Sequence, residues 1–173
     1  MATKPTIKQN ITPYNKQKRT KAMNKDGYIV IHWVGAASSA KNNAAYFATG
    51  YRAASAHFFV DDAEIWQSVK TKNYASWHCG GGLQSNAGHK YYGICRNDNS
   101  IGIEMCCAKD KDGKLYITDK TINRTAKLVK WLMSYYNIPA SHVIRHFDVT
   151  GKDCPHGYTT STAWKKLKER LTT

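Results

Sequence analysis

Two short runs of apolar, β-branched residues each end in a histidine, and this pattern constrains the fold more than any other feature of the chain. One run is Tyr28-Ile-Val-Ile-His32 and the other is Val143-Ile-Arg-His146. Runs of this length and composition predict buried β-strands. A histidine that closes a buried strand is a candidate for a site at that end of the sheet.

The rest of the chain predicts a mixture of strands and helices. Further strands are predicted at 55–60, 64–67 and 101–105, and helices at 40–48, 119–137 and 161–171. Residues 71–99 are rich in Gly, Asn, His and Tyr, which predicts a long surface loop. Since the order combines at least one hairpin with helices, we expect an α/β fold with a single mixed β-sheet flanked by α-helices.

Length and composition indicate one folded domain. The chain has 173 residues, of which 42% are hydrophobic and 12% aromatic, and this apolar content excludes a disordered basic tail. No apolar run approaches the roughly 18–20 residues of a membrane span. We expect residues 1–27 to form a basic arm packed on a domain of residues 28–173. The N-terminus lacks an apolar stretch of signal-peptide length, which predicts synthesis in the cytoplasm.

The net charge of +14 predicts a polyanionic partner. Nucleic acid is the first candidate for a basic domain, but the chain contains no helix-turn-helix, zinc-finger or RNA-recognition pattern. Its basic residues are scattered along the sequence rather than concentrated on one helix. We therefore expect no specific nucleic-acid binding.

The cysteines do not form a disulfide pattern. There are five of them, irregularly spaced and without a CxxC pair, which indicates reduced thiols. The adjacent Cys106 and Cys107 lie in an apolar run and are interpreted as small buried hydrophobic residues.

A third candidate ligand follows the second histidine. Cys154 comes eight residues after His146, and two histidines with one thiolate form a plausible zinc set with an open fourth position, the pattern of catalytic zinc. A cysteine–histidine pair also fits a thiol nucleophile with its base, although that reading leaves His32 without a role. Three nearby residues remain rival ligands: Asp148, Asp153 and His156.

Four stretches together carry a family resemblance. They are IVIHWVG at 29–35, SAHFFVDD at 55–62, NSIGIEMC at 99–106 and RHFDVTGKDCP at 145–155. In these stretches and their order, the chain resembles the type 2 family of zinc-dependent N-acetylmuramoyl-L-alanine amidases. That family includes many phage endolysins, and peptidoglycan recognition proteins share its fold.

The resemblance implies a site with one Zn²⁺ ion. Its ligands would be His32, His146 and Cys154, and its catalytic residues Glu104 and Lys152. The glutamate would act as general base towards a zinc-activated water and then donate a proton to the leaving amine. The lysine ammonium would stabilise negative charge on the substrate oxygen. A salt-bridged structural glutamate and a solvated surface lysine are the alternatives.

One position departs from the family pattern. Many relatives have a tyrosine before the histidine of the second matching stretch, where this chain has Ala56. We expect Glu104 to take over any role of that tyrosine. Three further residues are predicted to bind substrate, namely His57, Trp77 and His78. For His57, hydrogen bonding within the sheet is the alternative.

The resemblance implies a peptidoglycan hydrolase that cleaves the amide between N-acetylmuramic acid and L-alanine, in a phage or prophage endolysin. The alternative is a peptidoglycan-binding domain of the same fold without catalysis. Expected partners are bacterial peptidoglycan and teichoic acids, and we expect a monomer. An endolysin made without a signal peptide would reach the cell wall through a holin or after lysis.

Overall fold

A seven-stranded mixed sheet forms the centre of the protein. The computed structural model describes residues 2–173, and its strands are β1 (Lys8–Gln9), β2 (Gln17–Lys18), β3 (Tyr28–Ala37), β4 (Phe58–Val60), β5 (Ile65–Gln67), β6 (Tyr74–Ala75), β7 (Ser100–Lys109), β8 (Leu115–Tyr116) and β9 (Val143–Arg145). The main sheet runs β1-β5-β4-β7-β3-β9, with β8 paired to the end of β7. Strands β2 and β6 form a separate two-stranded ladder.

Four helices accompany the sheet: α1 (Ala40–Ala48), α2 (Asp119–Tyr136), α3 (His146–Thr150) and α4 (Ser161–Thr172). Three of them, α1, α2 and α4, begin after a hydroxyl side chain that accepts a hydrogen bond from a backbone N–H of the first turn. Helix α2 ends at Asn137, whose φ of 57° is left-handed. The predicted α/β class, with a mixed sheet flanked by helices, is confirmed.

The two faces of the sheet carry different side chains. In β7, Ile101, Ile103 and Met105 point into the main hydrophobic core, which also contains apolar residues of α2 and α4. Residues 102, 104 and 106 alternate with them on the opposite face, where Cys106 packs beneath α1. The functional side chains therefore lie on the face opposite the main core.

Some element bounds differ from the sequence prediction. The predicted strand 55–60 is regular only from Phe58, because the N–H of Ser55 bonds to the Trp77 carbonyl in the long loop (2.9 Å). The predicted strand 101–105 extends to Lys109. Residues 71–99 are mostly irregular, as expected, but include β6 and a 3₁₀ turn at 97–99.

The second histidine-ending strand stops one residue early. His146 does not close β9 but begins α3, within a segment predicted to be a strand end and loop. The carboxylate of Asp148 causes this turn, since it accepts from the backbone N–H of Arg145 (2.8 Å) and from its guanidinium (2.6 Å).

The N-terminal segment contributes backbone to both sheets. Strand β1 pairs in parallel with β5, and β2 pairs with β6. Thr12, Asn15 and Arg19 are buried although the segment is polar. Met1, the first residue of the predicted arm, lies outside the described residues.

Among residues 2–173, every helix falls short of the length or the apolar content that crossing a membrane requires.

Candidate metal centre and active site

Strand register gathers three polar side chains at one end of the sheet. Strands β3 and β7 are parallel neighbours in which His32 lies opposite Glu104. Strand β9 lies on the other side of β3, with Ile31 opposite Arg145, so His146 follows at the level of His32. The two histidine rings lie 4.6 Å apart between centroids.

The turn after α3 brings a cysteine back to the same point. Gly151 ends α3 with a φ of 77°, and a Cβ there would lie 2.6 Å from the Ala87 carbonyl oxygen, so this position requires glycine. The Phe147 N–H then bonds to the Cys154 carbonyl (2.9 Å), which closes the loop. As a result, Cys154 Sγ lies 3.7 Å from His32 Nδ1.

The geometry of this cluster fits a zinc ion. Donor atoms of His32, His146 and Cys154 all lie within 4.8 Å of one another. Tetrahedral zinc with ordinary Zn–S and Zn–N bonds separates sulfur and nitrogen by about 3.6 Å, close to the observed 3.7 Å. Both ring nitrogens of His146 are buried and have no hydrogen-bond partner within residues 2–173. A buried imidazole without a partner is costly unless it binds something else.

Burial sets the protonation states of the cluster. It lowers the pKa of His146 to about 3 and that of His32 well below its usual value, with nearby positive charges as a smaller cause. Both imidazoles are therefore neutral near pH 7, the form that binds metals. Burial also raises the pKa of the Cys154 thiol, so without a metal ion this group remains protonated.

Glu104 lies beside the cluster in an apolar setting. Its Oε1 is 3.9 Å from His32 Nδ1, and its Oε2 is buried without a partner among the described residues. Burial raises the pKa of Glu104 to about 8, and the nearby charge of Lys152 opposes the rise. The carboxyl group can therefore exchange a proton near neutral pH.

A cavity of about 340 Å³ opens above the cluster. Its walls include Glu104, Lys152, Trp77 and Ala56, together with the three candidate ligands. A second cavity of about 530 Å³ shares Glu104 with the first and extends along α1. The carboxyl group of Glu104 thus lies between the two cavities.

The predicted substrate residues separate into two groups. Trp77 and His78 line the cavity, and the His78 ring nitrogens point to His32 and Ser100. His57, which was also predicted to contact substrate, is fully buried and is not part of the cavity wall. Its Nδ1 accepts from the Gly102 N–H (3.1 Å), a hydrogen bond of the kind given as the alternative.

The rival ligands lie away from the cluster. Asp148 is paired with Arg145, and Asp153 forms an exposed ion pair with His156 at 2.7 Å. Sequence reasoning missed Ser100, whose hydroxyl lies behind His78. No pattern in the sequence distinguishes it from other serines.

Comparison with known proteins places the chain in a family. A family model described as N-acetylmuramoyl-L-alanine amidase matches residues 23–157. This chain belongs to the N-acetylmuramoyl-L-alanine amidase family. The resemblance seen in the four sequence stretches is thereby confirmed.

Individual members of the amidase family show how far the likeness extends. The N-acetylmuramoyl-L-alanine amidase CwlA of Bacillus subtilis (strain 168) is 30% identical over 144 residues, which are 83% of this chain and 48% of CwlA. The chain thus spans about half the length of that relative. The solved catalytic domain of XlyA matches with a TM-score of 0.72 and 28% identity, over 96% of this chain and 99% of that domain. A mutant endolysin from Bacillus subtilis matches with a TM-score of 0.71 and 29% identity, over 96% and 98%.

Proposed function

We propose that this chain hydrolyses peptidoglycan at the amide between the lactyl group of N-acetylmuramic acid and L-alanine. The observation that carries the proposal is the cluster itself: two neutral imidazoles and a thiol meet beside a partly buried carboxyl group at the floor of a cavity. The names of its relatives support this choice of substrate.

The proposed cofactor is one Zn²⁺ ion held by His32, His146 and Cys154. When bound, zinc supplies the positive charge that acidifies a water molecule and polarises a carbonyl group. The protein contributes three ligands and leaves the cavity side of the cluster open, the arrangement typical of catalytic rather than structural zinc sites.

Glu104 and Lys152 are the proposed catalytic residues. The raised pKa of this carboxyl group, about 8 without a metal ion, makes its ionised form a stronger base than an ordinary carboxylate, so that it can take a proton from the attacking water and then donate it to the leaving amine. The Lys152 side chain lines the same cavity, where its positive charge would stabilise the oxyanion of the amide. Trp77 is the proposed substrate contact, because its indole forms part of the cavity wall.

A thiol nucleophile is the weaker alternative. Cys154 is 2% exposed, and burial raises its thiol pKa, whereas nucleophilic cysteines have a lowered pKa and are accessible. A peptidoglycan-binding domain without catalysis is the other alternative. It requires neither a complete ligand set nor a carboxyl group with a shifted pKa, and this chain has both.

The wider setting is also a proposal. We propose an endolysin that reaches the cell wall through a holin or after lysis and acts there as a monomer. Teichoic acids and the carboxylates of the wall would attract its positive charge.

Mass spectrometry of digested peptidoglycan tests the function directly. An amidase releases stem peptides with a free L-alanine N-terminus and leaves intact glycan strands. New reducing ends or cleavage within the peptide would instead indicate a glycosidase or an endopeptidase and contradict the proposal.

The Cys154→Ser variant tests the ligand set. We expect its zinc affinity to fall first and its hydrolysis to fall as a consequence, measured by zinc titration and by turbidity loss of a wall suspension. Full zinc content together with full activity would show that Cys154 is not a ligand.

A further inference from the structure

We infer that His78 is a positioning residue of the metal centre: a hydrogen-bond chain from His32 through His78 to Ser100 holds His32 in the tautomer whose Nδ1 is free to bind the metal. The inference rests on the proposed function in one respect, because it takes His32 as a ligand. It gives His78 a role other than the substrate contact expected from sequence.

Ser100 determines which atom is the donor in each hydrogen bond of this series. Ser100 Oγ lies 2.5 Å from the carbonyl oxygen of Arg96, and a carbonyl can only accept, so the hydroxyl proton points there. His78 Nε2 lies 3.0 Å from the same Oγ and must therefore be the donor. A neutral imidazole carries one N–H, which leaves Nδ1 of His78 as an acceptor.

The acceptor on His78 then determines the tautomer of His32. His78 Nδ1 is 3.0 Å from His32 Nε2, so the proton of the His32 ring belongs on Nε2. Nδ1 of His32 is left without a proton, and this is the nitrogen that lies 3.7 Å from Cys154 Sγ. Metal-binding histidines typically donate their second ring nitrogen in this way, which fixes the ring and makes it a better ligand.

The His78 ring is fixed by packing as well as by hydrogen bonds. A Cβ on residue 102 would lie 2.5 Å from His78 Cγ, so the ring sits where only Gly102 leaves room. Behind it, Asn97 Oδ1 accepts from the backbone N–H groups of His78 (3.0 Å) and Cys79 (2.9 Å). The glycine of the IGIE stretch thus has a physical reason: it admits this ring.

The first test reads the tautomer in the metal-free protein. Long-range ¹H–¹⁵N NMR should show His32 of the wild type with its proton on Nε2. In Ser100→Ala, His78 loses the acceptor that orients it, and we expect His32 to show a mixture of both tautomers. A wild-type His32 with its proton on Nδ1 would overturn the inference.

The second test measures zinc affinity by competition with a chelator. His78→Leu removes the acceptor and should weaken zinc binding by about 10–100-fold. His78→Asn places an amide oxygen near the position of Nδ1 and should restore much of that loss, and Ser100→Ala should have a smaller effect. His142→Leu is the matched control, because His142 precedes β9, at the opposite end of that strand from His146.

These outcomes separate the inference from the proposed function. Unchanged zinc affinity in a folded His78→Leu protein would overturn the inference even if the wild type is an amidase. If His78→Leu does not fold, Ser100→Ala decides the question through the tautomer of His32. The expected tautomer and the expected losses of affinity, found in a protein that leaves peptidoglycan intact, would support the inference while refuting the amidase.

Discussion

Glu104 shows how a partly buried side chain acquires a chemical role from its surroundings. It lies on a parallel strand between apolar neighbours, and the Lys152 charge offsets only part of the cost of burial. A carboxyl group in such a place titrates near neutral pH rather than near 4.5. Alternation along the strand predicted its face, but the shift in its pKa depends on how tightly the cavity closes around it.

Replacing Glu104 by glutamine should abolish the proton transfer without disturbing the site. The amide has nearly the same shape and cannot act as a base, so we expect hydrolysis to fall by about 10²–10⁴-fold. Zinc content and thermal stability should stay close to the wild type. Turnover of a wall suspension measures the effect, and an unchanged rate would exclude Glu104 from the mechanism.

Buried histidines should make the metal-free protein sensitive to acid. Burial lowers the pKa of His32, His57 and His146, so below pH 6.5 the unfolded chain binds more protons than the folded one. The free energy of unfolding therefore falls as pH decreases, by about 1.4 kcal/mol per pH unit for each histidine. Glu104 has a raised pKa and opposes this trend between pH 4.5 and 8. Denaturant unfolding of metal-free protein at pH 7, 6 and 5 measures the slope, and a flat profile would contradict it.

At the scale of elements, the N-terminal segment has a polar composition but contains buried side chains. Arg19 is buried, and its guanidinium donates to the carbonyl oxygens of Thr71 (2.9 Å) and Ser100 (2.7 Å) and to that of Asp98. It therefore links the N-terminal segment to the long loop and to the start of β7. The sequence shows seven basic residues in this segment, and nothing in it distinguishes the one that is buried.

Arg19→Met should destabilise the fold without touching the metal cluster. The substitution leaves buried carbonyl groups without donors, which should lower the free energy of unfolding by about 2–4 kcal/mol. Lys18→Met is the matched control, because Lys18 is exposed in β2 and its replacement should change stability by less than about 0.5 kcal/mol. Equal stability of the two variants would show that the Arg19 hydrogen bonds contribute nothing.

Elements with regular patterns were the most predictable. The apolar spacing of α2 and the β-branched runs of β3 and β9 follow from periodicity alone. Helix α3 was not predicted, because five residues are too few for a periodic signal and its start depends on one contact, that of Asp148 with Arg145. The candidate ligands His32, His146 and Cys154 were predicted from two strand-ending histidines, from a cysteine eight residues after the second, and from the family resemblance. Ser100 was not, since its role depends on the path of a distant loop.

For the whole molecule, nearly all basic side chains lie outside the cavity wall. The net charge is +14, and seven basic residues lie in the N-terminal segment. Within the cavity walls, Lys152 is the single lysine or arginine side chain that the described residues contribute. Attraction to a polyanionic surface and hydrolysis within the cavity should therefore respond differently to salt.

Raising ionic strength should reduce hydrolysis of intact cell walls steeply while cleavage of small soluble muropeptides changes little. Salt screens attraction over about 8–10 Å near physiological strength, a range that matters for a charged surface more than for a bound amide. Replacing the exposed Lys18, Lys21 and Lys25 by glutamine should flatten the salt dependence on walls. Equal salt dependence for both substrates would contradict this separation.

The two outer strands of the main sheet are short. Strand β1 has two residues and β9 has three, whereas β3 and β7 at the centre have ten each. An exposed sheet edge promotes aggregation because its unpaired backbone N–H and C=O groups can form hydrogen bonds with a strand of another chain. Because the long strands β3 and β7 lie inside the sheet, its two outer strands expose only a short length of backbone. Short outer strands should therefore limit edge-to-edge pairing between copies of the protein when it is concentrated on a surface.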